Sequence, residues 1–104
     1  MKKPRLVLSD AAAADILEQA DWYAVQSGQT LARRWEHSVK SAILRILKRP
    51  ASGMNCEFRP PELRHVRRTI ISGFPKHLLF YPHDREEVFV LRVIHGARDL
   101  ERLL

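Results

Sequence analysis

The hydrophobic residues of this 104-residue chain change their spacing about halfway along it, and this change limits the folds that the chain can adopt. Residues 10–49 carry apolar side chains at intervals of three and four, which is the period of an amphipathic helix. From residue 63 onward, apolar residues form short runs rich in β-branched and aromatic types, which are typical of strands. The sequence therefore predicts an α+β protein whose helices precede most of its strands.

The first half is predicted to form a strand and two helices. A short apolar run at residues 4–8 favours the strand. Ser9, or the aspartate after it, can cap a helix over about residues 10–26 by accepting hydrogen bonds from free N–H groups. A second helix is predicted over about residues 29–49, because the residue before Pro50 disfavours helical geometry. The short connection makes the two helices an antiparallel hairpin. The first helix is expected to bury one stripe of residues: Ala13, Ile16, Leu17, Ala20, Tyr23 and Ala24.

The second half is predicted to be a loop followed by three strands. Proline, glycine, serine and asparagine punctuate residues 50–62 and leave little periodicity there. The strands are expected over residues 63–71, 76–81 and 87–94, and the short turns between them make an antiparallel meander. With the first strand added, the expected order is β-α-α-β-β-β in a single domain over residues 1–104, with the helix hairpin on one face of a mainly antiparallel sheet.

The last predicted strand is apolar on both faces. Because side chains alternate along a strand, two sets are expected: Val88, Val90, Arg92 and Ile94 on one face, and Phe89, Leu91, Val93 and His95 on the other. The helix hairpin can cover only one face, and residues 100–104 offer little to cover the other. An exposed apolar face of that size indicates a protein interface, the alternative being a sheet that the chain covers by itself.

Positive charge is concentrated in the middle of the chain. The whole chain has 18 Lys and Arg against 12 Asp and Glu, a formal charge of +6. Cationic side chains recur in and beside the last three predicted strands, at Arg64, Arg67, Arg68, Lys76, Arg92, His95 and Arg98. Cations on adjacent strands repel one another. Two interpretations remain open: a surface for phosphate or an acidic peptide, or a solvated sheet edge that charge protects from pairing.

Few residues fall in patterns typical of catalysis or of metal binding. An RNA-cleaving site would need a base, an acid and cations, and histidine and arginine could supply them. His95 is the candidate histidine, although a lone histidine at a strand end more often only packs. No metal is expected, because Asp15, Glu18 and Asp21 lie three apart on a helix and are expected to face solvent. No cofactor is expected either, since the sequence has no glycine-rich phosphate loop, nucleophile elbow or zinc spacing.

Nothing in the sequence predicts a membrane span or a signal peptide. The longest apolar runs are a few residues long, far short of the roughly 20 that cross a bilayer. The basic N-terminus is interrupted by Arg5 and Asp10 before any apolar segment of a signal peptide could form. The lone Cys56 excludes an internal disulfide. A cytoplasmic location is expected.

Four segments together carry a resemblance to a known family. They are LSDAAAADI at residues 8–16, the hairpin with Trp22 and Trp35, the strand around residues 79–81, and LRVIHGARD at residues 91–99. The most specific element is HGARD after an apolar strand. Over nearly the whole chain these segments resemble the RelE/ParE superfamily of type II toxins, and the ParE-like branch, which includes plasmid stabilisation toxins, fits best.

This resemblance implies the toxin of a type II toxin–antitoxin system. Such a toxin is neutralised by a cognate antitoxin whose acidic or amphipathic C-terminal segment covers the toxin's sheet. ParE-like toxins trap DNA gyrase, a type II topoisomerase, with cleaved DNA, block replication and perform no chemistry of their own. RelE-like toxins instead cut mRNA in the ribosomal A site. The two branches share a fold, so the fold alone does not decide between them.

The ribonuclease alternative would use Arg67, Arg68, His95 and Arg98. The ribonuclease branch commonly has a tyrosine or histidine near the C-terminus, whereas no tyrosine follows Tyr81 here. For either toxin, the candidate partner-binding residues are Arg64, Arg67, Arg68, Lys76, Phe89, Leu91, Arg92, His95 and Arg98.

A third hypothesis is a simple nucleic-acid-binding module. It would place phosphate contacts at Arg64, Arg67 and Lys76, and its binding would weaken steeply with salt. The basic strand lacks the aromatic residues on which a single-strand binder stacks bases, which disfavours this hypothesis.

Overall fold

The computed structural model describes residues 3–96 and 100–104. Its helices and strands are, in chain order, β1 (Arg5–Leu8), α1 (Asp10–Ser27), α2 (Gln29–Lys48), β2 (Met54–Asn55), β3 (Arg67–Ile71), β4 (Phe74–Tyr81), β5 (Glu87–Val90), β6 (Arg92–His95) and α3 (Leu100–Leu103). Short 3-10 turns occur at Pro50–Ser52 and Pro61–Leu63. The predicted α+β class and the β-α-α-β start are confirmed.

The two long helices form the expected hairpin. The Ser9 hydroxyl accepts the N–H of Ala12 at 2.9 Å, so Ser9 is the residue that caps α1. Gly28 lies between α1 and α2 and has a φ of +95°, a backbone conformation that residues other than glycine rarely adopt. α2 buries Trp35, Val39 and Ile46 at helical spacing. Among the described residues, no helix has the length and apolarity needed to cross a bilayer.

The strands form two small sheets. One has four antiparallel strands in the order β2-β3-β4-β6, and the other pairs β1 with β5 in parallel. The prediction of one continuous strand over residues 87–94 was therefore wrong. The strand is interrupted at Leu91, whose N–H donates to the carbonyl of Phe80 at 2.8 Å. Before the break the backbone pairs with β1, and after it with β4.

This break also overturns the predicted alternation of faces. Val88 and Val90 pack in the same core as Val93, whereas Ile94 packs in a different one. A shift of one residue moves every later side chain to the other face. The first strand of the meander is also shorter than predicted, because the 3-10 turn at Pro61–Leu63 occupies its expected start.

The main core lies between the helix hairpin and the sheets. Trp35 is fully buried in the same cluster as Leu79, Tyr81 and Ile46, and its ring packs edge-on to Phe74. The Nε1–H of Trp35 donates to the carbonyl of Ile16 at 3.1 Å, which satisfies the indole and joins α2 to the backbone of α1. Trp35 therefore fixes the two helices relative to each other.

A second core covers the opposite face of the four-stranded sheet. Phe80 and Ile94 point to this face, and Cys56, Leu63 and Val66, from the segment between β2 and β3, pack over them. Leu100, Leu103 and Leu104 are partly buried against the same cluster. The prediction of a bare apolar sheet face was therefore wrong. The covering residues come from a segment without regular spacing, so their burial left no pattern in the sequence.

Tyr81 fixes the turn that leaves α2. It is fully buried, its oxygen accepts the N–H of Gly53 at 2.9 Å, and its hydroxyl donates to the carbonyl of Pro50 at 2.8 Å. A Cβ on Gly53 would collide with this hydroxyl and lie 2.9 Å from the Arg68 carbonyl oxygen. The tyrosine thus satisfies two backbone groups in a place where water has little access.

Candidate functional site

A cleft of about 730 Å³ opens between α1 and β6. It brings the acidic side of α1 to the strand that carries two of the candidate site residues. Its walls are formed by Asp15, Glu18, Gln19, Trp22, Tyr23, His77, Arg92, Val93, Ile94 and His95. We call it the α1 cleft.

Asp15 and Arg92 form a two-point ion pair at one wall of the α1 cleft. Nε of Arg92 lies 2.7 Å from Oδ2 of Asp15, and Nη2 of Arg92 lies 2.7 Å from Oδ1. The Asp15 carboxylate also accepts the backbone N–H of Val93 at 3.0 Å. The side chains are only 10% and 20% exposed for Asp15 and Arg92 respectively. The prediction that Asp15 faces solvent was therefore wrong, because α1 lies directly alongside β6.

The guanidinium of Arg92 is occupied on all three nitrogens. Its Nη1 donates to the carbonyl of Leu103 at 3.0 Å, so the side chain also holds the C-terminal helix. The hydrogen bonds that Arg92 donates to the Asp15 carboxylate raise the pKa of Arg92 above its ordinary value. The group is permanently charged, and its donors are directed to the protein itself.

His77 and His95 face each other at the inner wall of the α1 cleft. They are paired across β4 and β6, and their rings lie 5.6 Å apart. The ring of His77 also packs edge-on to Trp35, with centroids 4.9 Å apart. Burial lowers the pKa of His77, and the nearby charge of His95 lowers it further. A neutral imidazole is therefore favoured at position 77.

Arg67 and Arg68 lie away from these histidines. Nη1 of Arg67 donates to the carbonyls of Gly53 at 2.7 Å and Ala51 at 3.3 Å. Arg67 pairs with Tyr81 and His95 pairs with His77, which puts them four residues apart along β4 and two strands apart across the sheet. At about 3.4 Å per residue and about 4.8 Å per strand, their Cα atoms are roughly 16 Å apart.

The remaining candidates are scattered. Arg64 and Lys76 are exposed, whereas Phe89 and Leu91 are half-buried. Arg98 lies outside the described residues. Within residues 3–96 and 100–104, no group of three or more His, Cys, Asp or Glu side chains is placed to hold a metal ion.

The exposed apolar residues on the outer face of α1 were not predicted from the sequence. Leu17, expected in the buried stripe, is 63% exposed, and Trp22 and Val25 are 56% and 81% exposed. The core-facing side of α1 instead buries small residues, Ala12 and Ala20. The signal was present in the sequence, because apolar residues occur all round this helix, as they do in helices that are covered on every side.

Replacing Asp15 with asparagine is expected to leave the Arg92 guanidinium without its negatively charged partner in a nearly buried position. We expect Asp15→Asn to lower the free energy of unfolding by about 3 kcal/mol. Asp21→Asn, an exposed change on the same helix, should alter it by less than about 0.5 kcal/mol. Urea denaturation of both variants measures the difference, and equal small effects would show that the ion pair does not hold α1 in place.

The lowered pKa of His77 predicts a pH dependence of stability. As pH falls, the unfolded chain takes up this proton near 6.5 while the folded chain resists, so the free energy of unfolding decreases from about pH 6.5 down to the folded pKa. His77→Gln should flatten this part of the profile, whereas His37→Gln, on the exposed face of α2, should not. Urea midpoints across about pH 5 to 8 test this. A profile unchanged by His77→Gln would contradict it.

Comparison with known proteins agrees with this architecture. The chain matches a family model described as the ParE toxin of the type II toxin–antitoxin system, parDE, over residues 6–100. A solved structure of the chromosomal ParDE TA system from P. aeruginosa is similar, with a TM-score of 0.73 and 18% identity over 89% of this chain and 96% of that chain. No match was found among curated proteins.

A second solved structure is more distant. The YoeB/ParE toxin from Agrobacterium tumefaciens gives a TM-score of 0.54 and 14% identity, over 88% of this chain and 96% of that chain. At such identities, the two structures establish the shared fold. The family model adds a match that spans nearly the whole chain, from β1 to the start of α3. The chain therefore belongs to the ParE toxin family of type II toxin–antitoxin systems.

Proposed function

We propose that this ParE-family chain poisons DNA gyrase by protein contact, traps it with cleaved DNA, and is neutralised by a cognate antitoxin. Membership of the ParE family over residues 6–100 is the observation that carries the proposal. The layout of the charged residues supports it against the alternative, a ribosome-dependent mRNA endoribonuclease.

A ribonuclease must place a base, an acid and a cation around one phosphate, each within hydrogen-bonding reach. Arg67 is about 16 Å from His95 by the strand spacing, and its guanidinium is held by the carbonyls of Gly53 and Ala51. Arg68 pairs with Phe80, which faces the second core, whereas His95 pairs with His77 on the other face of β4, so Arg68 and His95 lie on opposite faces of the sheet. The described members of the predicted catalytic set therefore do not converge.

The antitoxin is proposed to cover the outer face of α1 and the adjoining cleft. Leu17, Trp22 and Val25 expose apolar surface there, and monomeric proteins seldom leave such residues grouped on one helix. α1 has four acidic residues and no lysine or arginine, so it would repel the acidic side of an amphipathic segment. The apolar side of that segment is therefore expected to face α1. The basic half of the chain is left to meet any acidic residues of that segment.

The decisive assay adds the purified chain to DNA gyrase acting on a supercoiled plasmid, with a translation extract in parallel. We expect linear DNA after protein denaturation and intact mRNA, because Arg67 and Arg68 are not grouped with His95 around one position. Cut mRNA with unaffected gyrase would contradict the proposal. In that case His95→Ala with Arg98→Ala should abolish the RNA cleavage, which would assign it to this chain rather than to a contaminant.

A further inference from the structure

A second concave surface, of about 860 Å³, lies at the opposite end of the helix hairpin from Gly28. It is formed by the segment before β1, the end of α2 with the turn that follows, and the β4–β5 connection. The residues that line it are Lys3, Pro4, Leu47, Lys48, Pro50, Ala51, His83, Asp84 and Arg85. We call it the cationic cleft.

Three basic side chains, from three separate parts of the chain, line the cationic cleft. They belong to Lys3, Lys48 and Arg85. Among residues 3–96 and 100–104, none of these three cations lies within 4.0 Å of a carboxylate oxygen, unlike Arg5 with Glu87 and Arg92 with Asp15. Grouping like charges costs free energy through their mutual repulsion, and an anion in the cleft would remove that cost.

The acidic residue that lines the cationic cleft has a structural role. Oδ1 of Asp84 accepts the N–H groups of Glu86 at 2.7 Å and Glu87 at 2.8 Å. These hydrogen bonds lower the pKa of Asp84, so the carboxylate stays ionised and holds the β4–β5 turn. It thereby fixes the backbone that presents His83 and Arg85 to the cleft.

The helix dipole explains only one of the three cations. Lys48 ends α2, where the partial negative charge of the helix C-terminus favours a cation. Lys3 and Arg85 belong to other elements, and neither lies at the end of a helix. Their convergence on Lys48 therefore needs another explanation, and a bound anion supplies it.

We propose that the cationic cleft binds the phosphate backbone of duplex DNA. Basic side chains continue from Lys48 along the exposed face of α2, at Arg33, Arg34, Lys40 and Arg45, beside a single acid, Glu36. At about 1.5 Å per residue they extend over roughly 22 Å. A duplex presents one charge about every 1.7 Å and can fill such a row, whereas a single phosphate or a short acidic peptide would leave most of it unpaired.

The lining favours contact with the backbone rather than with the bases. Pro4, Leu47, Pro50 and Ala51 supply an apolar floor suited to sugar, and His83 is the one aromatic-type ring in the described lining. Single-strand binders instead line their grooves with several stacking aromatics. Binding is therefore expected to be independent of sequence and strongly dependent on salt. The proposal concerns the free chain and DNA, and it stands or falls separately from the action on gyrase.

The test is fluorescence anisotropy of a labelled duplex of about 20 base pairs, titrated with the full chain between about 50 and 200 mM salt. Lys48→Gln with Arg85→Gln should weaken binding about tenfold at the lowest salt and reduce the slope of log affinity against log salt by about 2. Arg59→Gln with Arg102→Gln removes the same net charge from exposed residues outside the cleft, and should leave the affinity within about threefold of the wild type. Thermal unfolding of each variant checks that it is folded.

Three results would overturn the proposal. The first is no binding of the duplex by the wild-type chain at the lowest salt. The second is an equal loss in both double variants, which would show a response to net charge rather than to the cleft. The third is displacement of the duplex by polyglutamate as readily as by unlabelled duplex, which would identify the cleft as a site for acidic protein.

Discussion

The ion pair between Asp15 and Arg92 determines how the helices sit against the sheet. It joins residues 77 positions apart through two contacts of 2.7 Å. The same two side chains also bind the N–H of Val93 and the carbonyl of Leu103, so α1, the edge strand β6 and the C-terminal helix meet at one point. A nearly buried ion pair adds little net stability, but losing either partner is costly, so its main effect is to specify one arrangement. By accepting the Val93 N–H, Asp15 also occupies a donor on the edge strand β6 that could otherwise pair with another strand.

That arrangement decides which surfaces the molecule offers to others. With Ala12, Asp15 and Ala20 turned inward, α1 presents Leu17, Trp22 and Val25 to the outside. The exposed basic residues of α2 lead to the cationic cleft at the end of that helix. The chain therefore has an apolar, acidic side suited to a protein partner and a basic side suited to a polyanion. A toxin that acts at a complex of protein and DNA would use both.

The sequence predicted those features of the fold that depend on local periodicity and local capping. The helix hairpin followed from apolar spacing and from Gly28, and Ser9 was one of the two residues proposed to cap α1. The break at Leu91 could not be predicted, since a continuous apolar run does not show where its pairing partner changes from β1 to β4. Nor could the cover over Phe80 and Ile94, because the covering segment has no period.

The candidate site was harder to predict because its contacts are long-range. Arg92 was identified from its place in a segment that resembles the toxin family, but its partner Asp15 looked like an ordinary surface acid. Arg67 and His95 belong to one candidate ribonuclease set by their chemistry alone, and strand order and register separate them. In the sequence, apolar residues occur all round α1. This pattern does not predict which of them are exposed until the buried side of the helix is known.

Under the proposed function, the chain acts through protein contact and α1 is the side that meets its antitoxin. The measurement to make is the affinity for a cognate antitoxin, compared between two variants. Trp22 on α1 and Leu44 on α2 are 56% and 57% exposed. We predict that Trp22→Ala weakens antitoxin binding about thirtyfold or more and that Leu44→Ala leaves it within about twofold. Equal affinities for the two variants, or a larger loss in Leu44→Ala, would contradict the account.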